Sequence, residues 1–107
     1  MPNVTLEARQ RNNESWLAGL QSTDPSLQSS ALVDLRDFIR RALGKSLGGR
    51  GLDDATLEDF SQEASMRVLE KIDTFRGESK FTTWDLSISL RVAFTELRRR
   101  RWKDVSL

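Results

Sequence analysis

From residue 14 to residue 102 of this 107-residue chain, apolar side chains recur at intervals of three and four. Nowhere do they alternate over the roughly four to eight residues that a half-buried strand needs. That period leaves an all-α fold, a small bundle of about four helices, and the length suits one domain with a modest core. Residues 1–12 are polar and read as a flexible N-terminal segment. Residues 13–107 read as a single helical domain without internal repeats.

Local signals divide the period into helices. Residues 14–21 bring Trp16, Leu17 and Leu20 as a short first helix. Asp24-Pro25 then supplies an N-cap followed by a proline at the first helical position, where its missing N–H is no loss. The second helix is expected to reach about Leu47, with Leu27, Ala31, Leu32, Leu35, Phe38, Ile39, Ala42 and Leu43 in one wide stripe. Gly48, Gly49 and Gly51 stop it. A third helix begins after Asp53-Asp54, whose carboxylates suit the positive end of the helix dipole, and buries Leu57, Phe60, Ala64, Val68 and Ile72. It ends near Phe75-Arg76-Gly77. The fourth opens around residues 79–81 and runs to about Trp102, with two apolar arcs, Phe81/Trp84/Ile88/Val92 and Leu86/Leu90/Ala93/Leu97, that predict a helix sandwiched between neighbours.

The chain contains neither cysteine nor histidine, which removes thiolate chemistry, the usual zinc ligands, disulfides and the commonest general base. No nucleophile–base pair, glycine-rich phosphate cradle or metal-ligand spacing stands out, so neither an enzyme nor a metal or cofactor site is expected. No apolar run approaches the roughly 20 residues of a membrane span, and the first residues lack the apolar core of a signal peptide. A cytoplasmic protein without membrane insertion is the expectation.

A formal net charge of +1 hides a polarised chain. Residues 53–73 hold seven acids against two bases, whereas residues 76–107 hold eight bases against four acids. Such asymmetry speaks of partners rather than of fold. On the third helix, Asp59, Gln62, Glu63, Met66, Glu70 and Asp73 lie opposite the core face, with Leu69 at their edge. An apolar methionine amid carboxylates suits a helix-on-helix interface with a basic partner. A solvated acidic face with one exposed methionine is the plainer alternative. On the fourth helix Lys80, Ser87, Arg91 and Arg98 project within roughly 40° of one another, a mostly basic column that matches a nucleic-acid backbone. A charged, solvated stripe is again the alternative. Between them, Phe75, Arg76, Lys80, Thr82, Thr83 and Trp84 combine aromatic faces, hydroxyls and charge, as single-stranded DNA sites do, although Phe75, Phe81 and Trp84 would also serve as core.

Taken in order, Asp59-Phe60-Ser61-Gln62-Glu63 with Arg67-Val68-Leu69, then Phe75-Arg76-Gly77 and Lys80-Phe81-Thr82-Thr83-Trp84, then Glu96-Leu97-Arg98-Arg99-Arg100 resemble region 2 of bacterial sigma-70 family factors, most closely the extracytoplasmic-function type. The register holds without a gap from about residue 54 to residue 103. In that family region 2 binds the β′ clamp helices of core RNA polymerase and recognises and melts the promoter −10 element. The resemblance implies polymerase contact by Asp59, Gln62, Glu63, Met66, Arg67 and Leu69. It implies that residues 75–83 border the captured single strand, that Ser87 and Arg91 sit near the upstream duplex edge, and that Arg98, Arg99 and Arg100 touch phosphate. The family's habits also admit an anti-sigma protein as a partner. The chain departs from the pattern at Asp85, where an apolar residue is usual, and at Ser87 and Arg91, where an arginine and an asparagine often stand. The tryptophan pair that housekeeping sigma factors carry at the positions of Ser87 and Ile88 is absent. The rival reading is a helical protein-interaction adaptor without a DNA role.

Overall fold

Three of the four helices begin on a side chain that caps them locally, and the fourth is capped from across the bundle. In the computed structural model, which describes residues 11–105 with side chains as far as residue 101, the helices are α1 (Asn13–Leu20), α2 (Pro25–Ser46), α3 (Asp54–Lys71) and α4 (Phe81–Val105). Short 3-10 turns follow α2 at Gly48–Arg50 and α3 at Ile72–Thr74. Residues 1–10 of the segment expected to fray, and the side chains of Trp102 and Lys103, lie outside the described residues.

The caps satisfy N–H groups that a helix start leaves without partners. Asn12 Oδ1 accepts from the Ser15 N–H at 2.8 Å, Asp24 Oδ1 from Ser26 at 2.9 Å, and Asp53 Oδ1 from Thr56 at 2.8 Å. The hydrogen bonds from Thr56 hold the Asp53 carboxyl below its ordinary value. At the start of α4 the acceptor is Asn13 of α1, whose Oδ1 takes the Phe81 N–H at 2.7 Å. Gly51 and Gly77, with φ of 68° and 76°, supply the left-handed turns that lead out of the two 3-10 segments.

Leu35, Ile39, Leu43 and Leu47 form a ridge at fourfold spacing along α2, fully or almost fully buried against Phe60, Ala64 and Val68 of α3 and Phe81 and Ala93 of α4. Each large side chain buried this way contributes about 1.5–3 kcal/mol relative to exposure. Trp16 and Leu20 of α1 close one end. The all-α bundle of four helices expected from the period is what the described residues form.

Three expectations change. Leu27, placed in the buried stripe of α2, is 58% exposed, because it lies in the first turn, ahead of Ala31 where burial begins. Arg11 and Asn12, counted with the flexible segment, are held in place. Asn12 caps α1, while Arg11 sits 5.3 Å above the Trp16 ring and pairs with Asp34 at 2.9 Å in a largely buried ion pair. α4 packs against both α2 and α3, as its two apolar arcs predict, but the polar seam between the arcs, Asp85 and Ser89, is fully buried while Leu86, Leu90 and Leu97 are only half-buried.

Candidate functional site

The face of α3 turned away from the core carries Asp59, Gln62, Glu63, Met66 and Glu70, all exposed, and Asp73 continues it into the 3-10 turn. Met66 is 54% exposed, an apolar group in an acidic surround. Leu69 is half-buried at one edge. Arg67 stands at the opposite edge, 3.5 Å from Glu70 and 4.0 Å from Glu63, and together with Glu63 it also lines the cleft between α3 and α4. The six residues expected to face polymerase all lie on the strip or at its edges, with Glu63 and Arg67 also bordering the cleft.

α3 and α4 run antiparallel, as Arg100 near the end of α4 lies 5.3 Å from the Phe60 ring centroid near the start of α3. Along α4, Ser87, Arg91 and Arg98 are exposed within roughly 40° of rotation. Lys80 stands at the foot of this column, its carbonyl accepting from the Thr83 and Trp84 N–H groups at 3.0 and 3.1 Å. The Ser87 hydroxyl donates to the Trp84 carbonyl at 2.7 Å, which engages it with its own helix. The arginine run spreads around the helix. Only Arg98 joins the column, because Arg99 pairs with Glu96 at 3.4 Å in the interhelical cleft and Arg100 turns towards Phe60 and Asp59.

The turn between the helices is built on aromatic packing. Phe81 is fully buried, stacked on Trp16 with ring centroids 5.3 Å apart, and it meets Phe75 and Trp84 at 5.5 Å each. Phe75 and Trp84 are only half-buried, and their outer edges, with Arg76 and Ser79, line an open hollow of about 290 Å³. Thr82 is half-buried and Thr83 exposed. Core packing and an accessible aromatic edge thus coexist in this cluster. α1 ties the turn down at both ends: Gln21 Nε2 donates to Asp73 Oδ1 at 3.3 Å, and Asn13 Nδ2 donates to the Ser79 carbonyl at 2.9 Å.

Asp85, where the sequence departs from its resemblance, is wholly buried one turn after Phe81. Burial pushes its carboxyl up to about 7, a rise opposed by the hydrogen bond from the Ser89 hydroxyl at 3.1 Å. Its second oxygen, Oδ2, and the buried Trp16 Nε1 have no hydrogen-bond partner among the described residues.

With this geometry in place, comparison with protein families decides the relationship: the family model described as Sigma-70 region 2 matches residues 33–103. The chain belongs to the Sigma-70 region 2 family. Comparison with curated proteins and with solved structures gave no match. A region 2 domain has the sigma factor's role in promoter recognition and in binding core RNA polymerase, and the acidic strip and basic column both lie inside the matched span. α1 lies outside it, so the contacts by which Asn13 and Trp16 position the turn of this region 2 domain come from beyond the family match. Sequence reasoning missed Asn13 because a side chain that caps a helix some 68 positions away has no local signature. It missed Arg11 because a lone arginine in a polar segment gives no sign of the carboxylate it will meet.

Proposed function

We propose that this domain is the promoter-specificity module of an extracytoplasmic-function type sigma factor, noncatalytic and working in the cytoplasm. α3 binds the β′ clamp helices of core polymerase through Asp59, Gln62, Glu63, Met66 and Leu69. The turn and α4 engage the −10 element, with Phe75, Arg76, Trp84 and Thr83 beside the opened strand and Lys80, Ser87, Arg91 and Arg98 along its backbone. The observation that carries this reading is the pairing on successive helices of an acidic strip centred on an exposed methionine with an exposed basic column. Carboxylates around an apolar anchor select a basic partner, and arginines spaced along one helix face suit phosphates. An anti-sigma protein would act by covering one of these two surfaces.

The reading is tested by reversing charge on the strip. Asp59→Lys in the full chain lowers affinity for purified core polymerase by roughly tenfold or more, the scale of a like-charge juxtaposition at an interface, while the far-ultraviolet circular dichroism stays the same. Unchanged affinity removes α3 from the polymerase interface.

A further inference from the structure

The antiparallel contact of α3 and α4 leaves a cleft of about 370 Å³ walled by Ile88 and Val92. Around it stand Arg67 and Lys71 from α3 and Arg91 and Arg99 from α4, with Glu63 and Glu96 as the acidic members. With Glu70, which stands 3.5 Å from Arg67, four cations meet three carboxylates and one positive charge is left in excess. The carboxylates are already engaged, Glu63 with Arg67 at 4.0 Å and Glu96 with Arg99 at 3.4 Å. Lys71 and Arg91, one on each helix, line the cleft, are exposed and have no ion-pair partner among the described residues. Lys71 follows Met66 by five positions, roughly 140° around the helix, so it points well away from the methionine of the acidic strip, with Arg67 and Glu63 between them.

We propose that this cleft is a phosphate site for the sugar–phosphate backbone of the promoter DNA, so that α3 serves two partners: its acidic strip holds polymerase, and its Arg67–Lys71 edge joins Arg91 and Arg99 on DNA. The inference rests on the DNA reading of α4 given above and extends it to a helix assigned to protein contact alone. Guanidinium and ammonium groups converging from two helices hold a phosphate from both sides, and such contacts add affinity and register without sequence preference. Phosphate is the chemistry recognised. The excess charge lies beside Arg91, at the upstream end of the proposed strand path, and this favours a strand over a free oxyanion.

The test is a titration of the full chain with fork-junction DNA of arbitrary sequence over a range of salt concentrations, for wild type, Lys71→Gln, Lys71→Arg and Arg91→Ala, with core polymerase affinity measured in parallel. Removing one phosphate contact at ~0.1 M salt weakens binding roughly eightfold and flattens the slope of log affinity on log salt by about one. Lys71→Gln is expected to do both equally on unrelated DNA sequences, Lys71→Arg to restore both, and polymerase affinity to stay unchanged. If Arg91→Ala weakens DNA binding and Lys71→Gln does not, the inference fails while the DNA reading stands. If neither changes DNA binding, the DNA reading fails with it. A loss confined to polymerase affinity, or inorganic phosphate bound at the cleft with no effect of Lys71→Gln on DNA, also overturns the proposal.

Discussion

Asn13 Oδ1 accepts the backbone N–H of Phe81 at 2.7 Å, so a residue of the shortest α-helix caps the longest one. The same side chain donates to the Ser79 carbonyl, closing the end of the turn that borders the proposed DNA strand. Asn13→Ala removes both bonds at once. A lost cap costs about 1–2 kcal/mol, and the expected result is a lower unfolding midpoint with faster amide exchange across residues 76–81 while exchange in the middle of α2 keeps its rank. Equal acceleration throughout would show that Asn13 supports the whole bundle instead.

Asp85 makes stability depend on pH in a direction opposite to that of a typical paired carboxylate. Its folded value, about 7, lies above the ordinary 3.8, so the native state holds the proton more tightly than the unfolded chain does. The contribution is therefore fully favourable below about pH 4, is lost as pH rises towards 7, and becomes a constant penalty of up to about 4 kcal/mol above that. Asp85→Asn removes the charge and keeps the shape. It is expected to stabilise the protein at pH 8 and to lose that advantage by pH 4, as read from urea unfolding at several pH values. A gain independent of pH would rule out ionisation as its cause.

Arg11 and Asp34 form a largely buried ion pair between the residue before the α1 cap and the middle of α2. Removing one partner leaves a buried charge uncompensated, at a cost of about 3–5 kcal/mol, whereas replacing both with apolar groups is often nearly neutral. Arg11→Met is accordingly expected to be strongly destabilising, and Arg11→Met combined with Asp34→Leu to recover most of the loss in thermal unfolding. Additive losses would show that packing over Trp16, rather than charge, is what Arg11 supplies.

Two helical glycines are expected to respond oppositely to alanine. A Cβ on Gly19 would lie 2.7 Å from Ala31 Cβ, which would force α1 away from α2. On Gly44 it would meet only Leu57 Cδ1, at 3.9 Å. Gly44→Ala gains up to about 1 kcal/mol of helix propensity, and Gly19→Ala loses more to the clash than it gains. Denaturant midpoints of the two variants decide it; a stable Gly19→Ala would mean that the helices slide apart cheaply.

The order and ends of the helices were legible in the chain because period, caps and glycines are local properties. Asp24-Pro25, Asp53 and the glycines at 48–51 act within a turn or two of where they stand. The acidic strip was equally legible, since residues outside a helix's apolar stripe face solvent by elimination, and Met66 does. Rotation about one axis also placed Ser87, Arg91 and Arg98 together. What the period could not decide is which neighbour a given edge meets. The polar gap between the two arcs of α4 looks the same in sequence whether it faces water or the core, and only the packing of α2 and α3 buried Asp85 and Ser89. Arg67, Arg99 and Arg100 carry identical charge to Arg98, but the antiparallel approach of α3 sets the first two beside Arg91 along a cleft and the third over Phe60. Helix type and face follow from short-range geometry; partners across the bundle follow from how rigid helices pack, which depends on pairs of residues far apart along the chain.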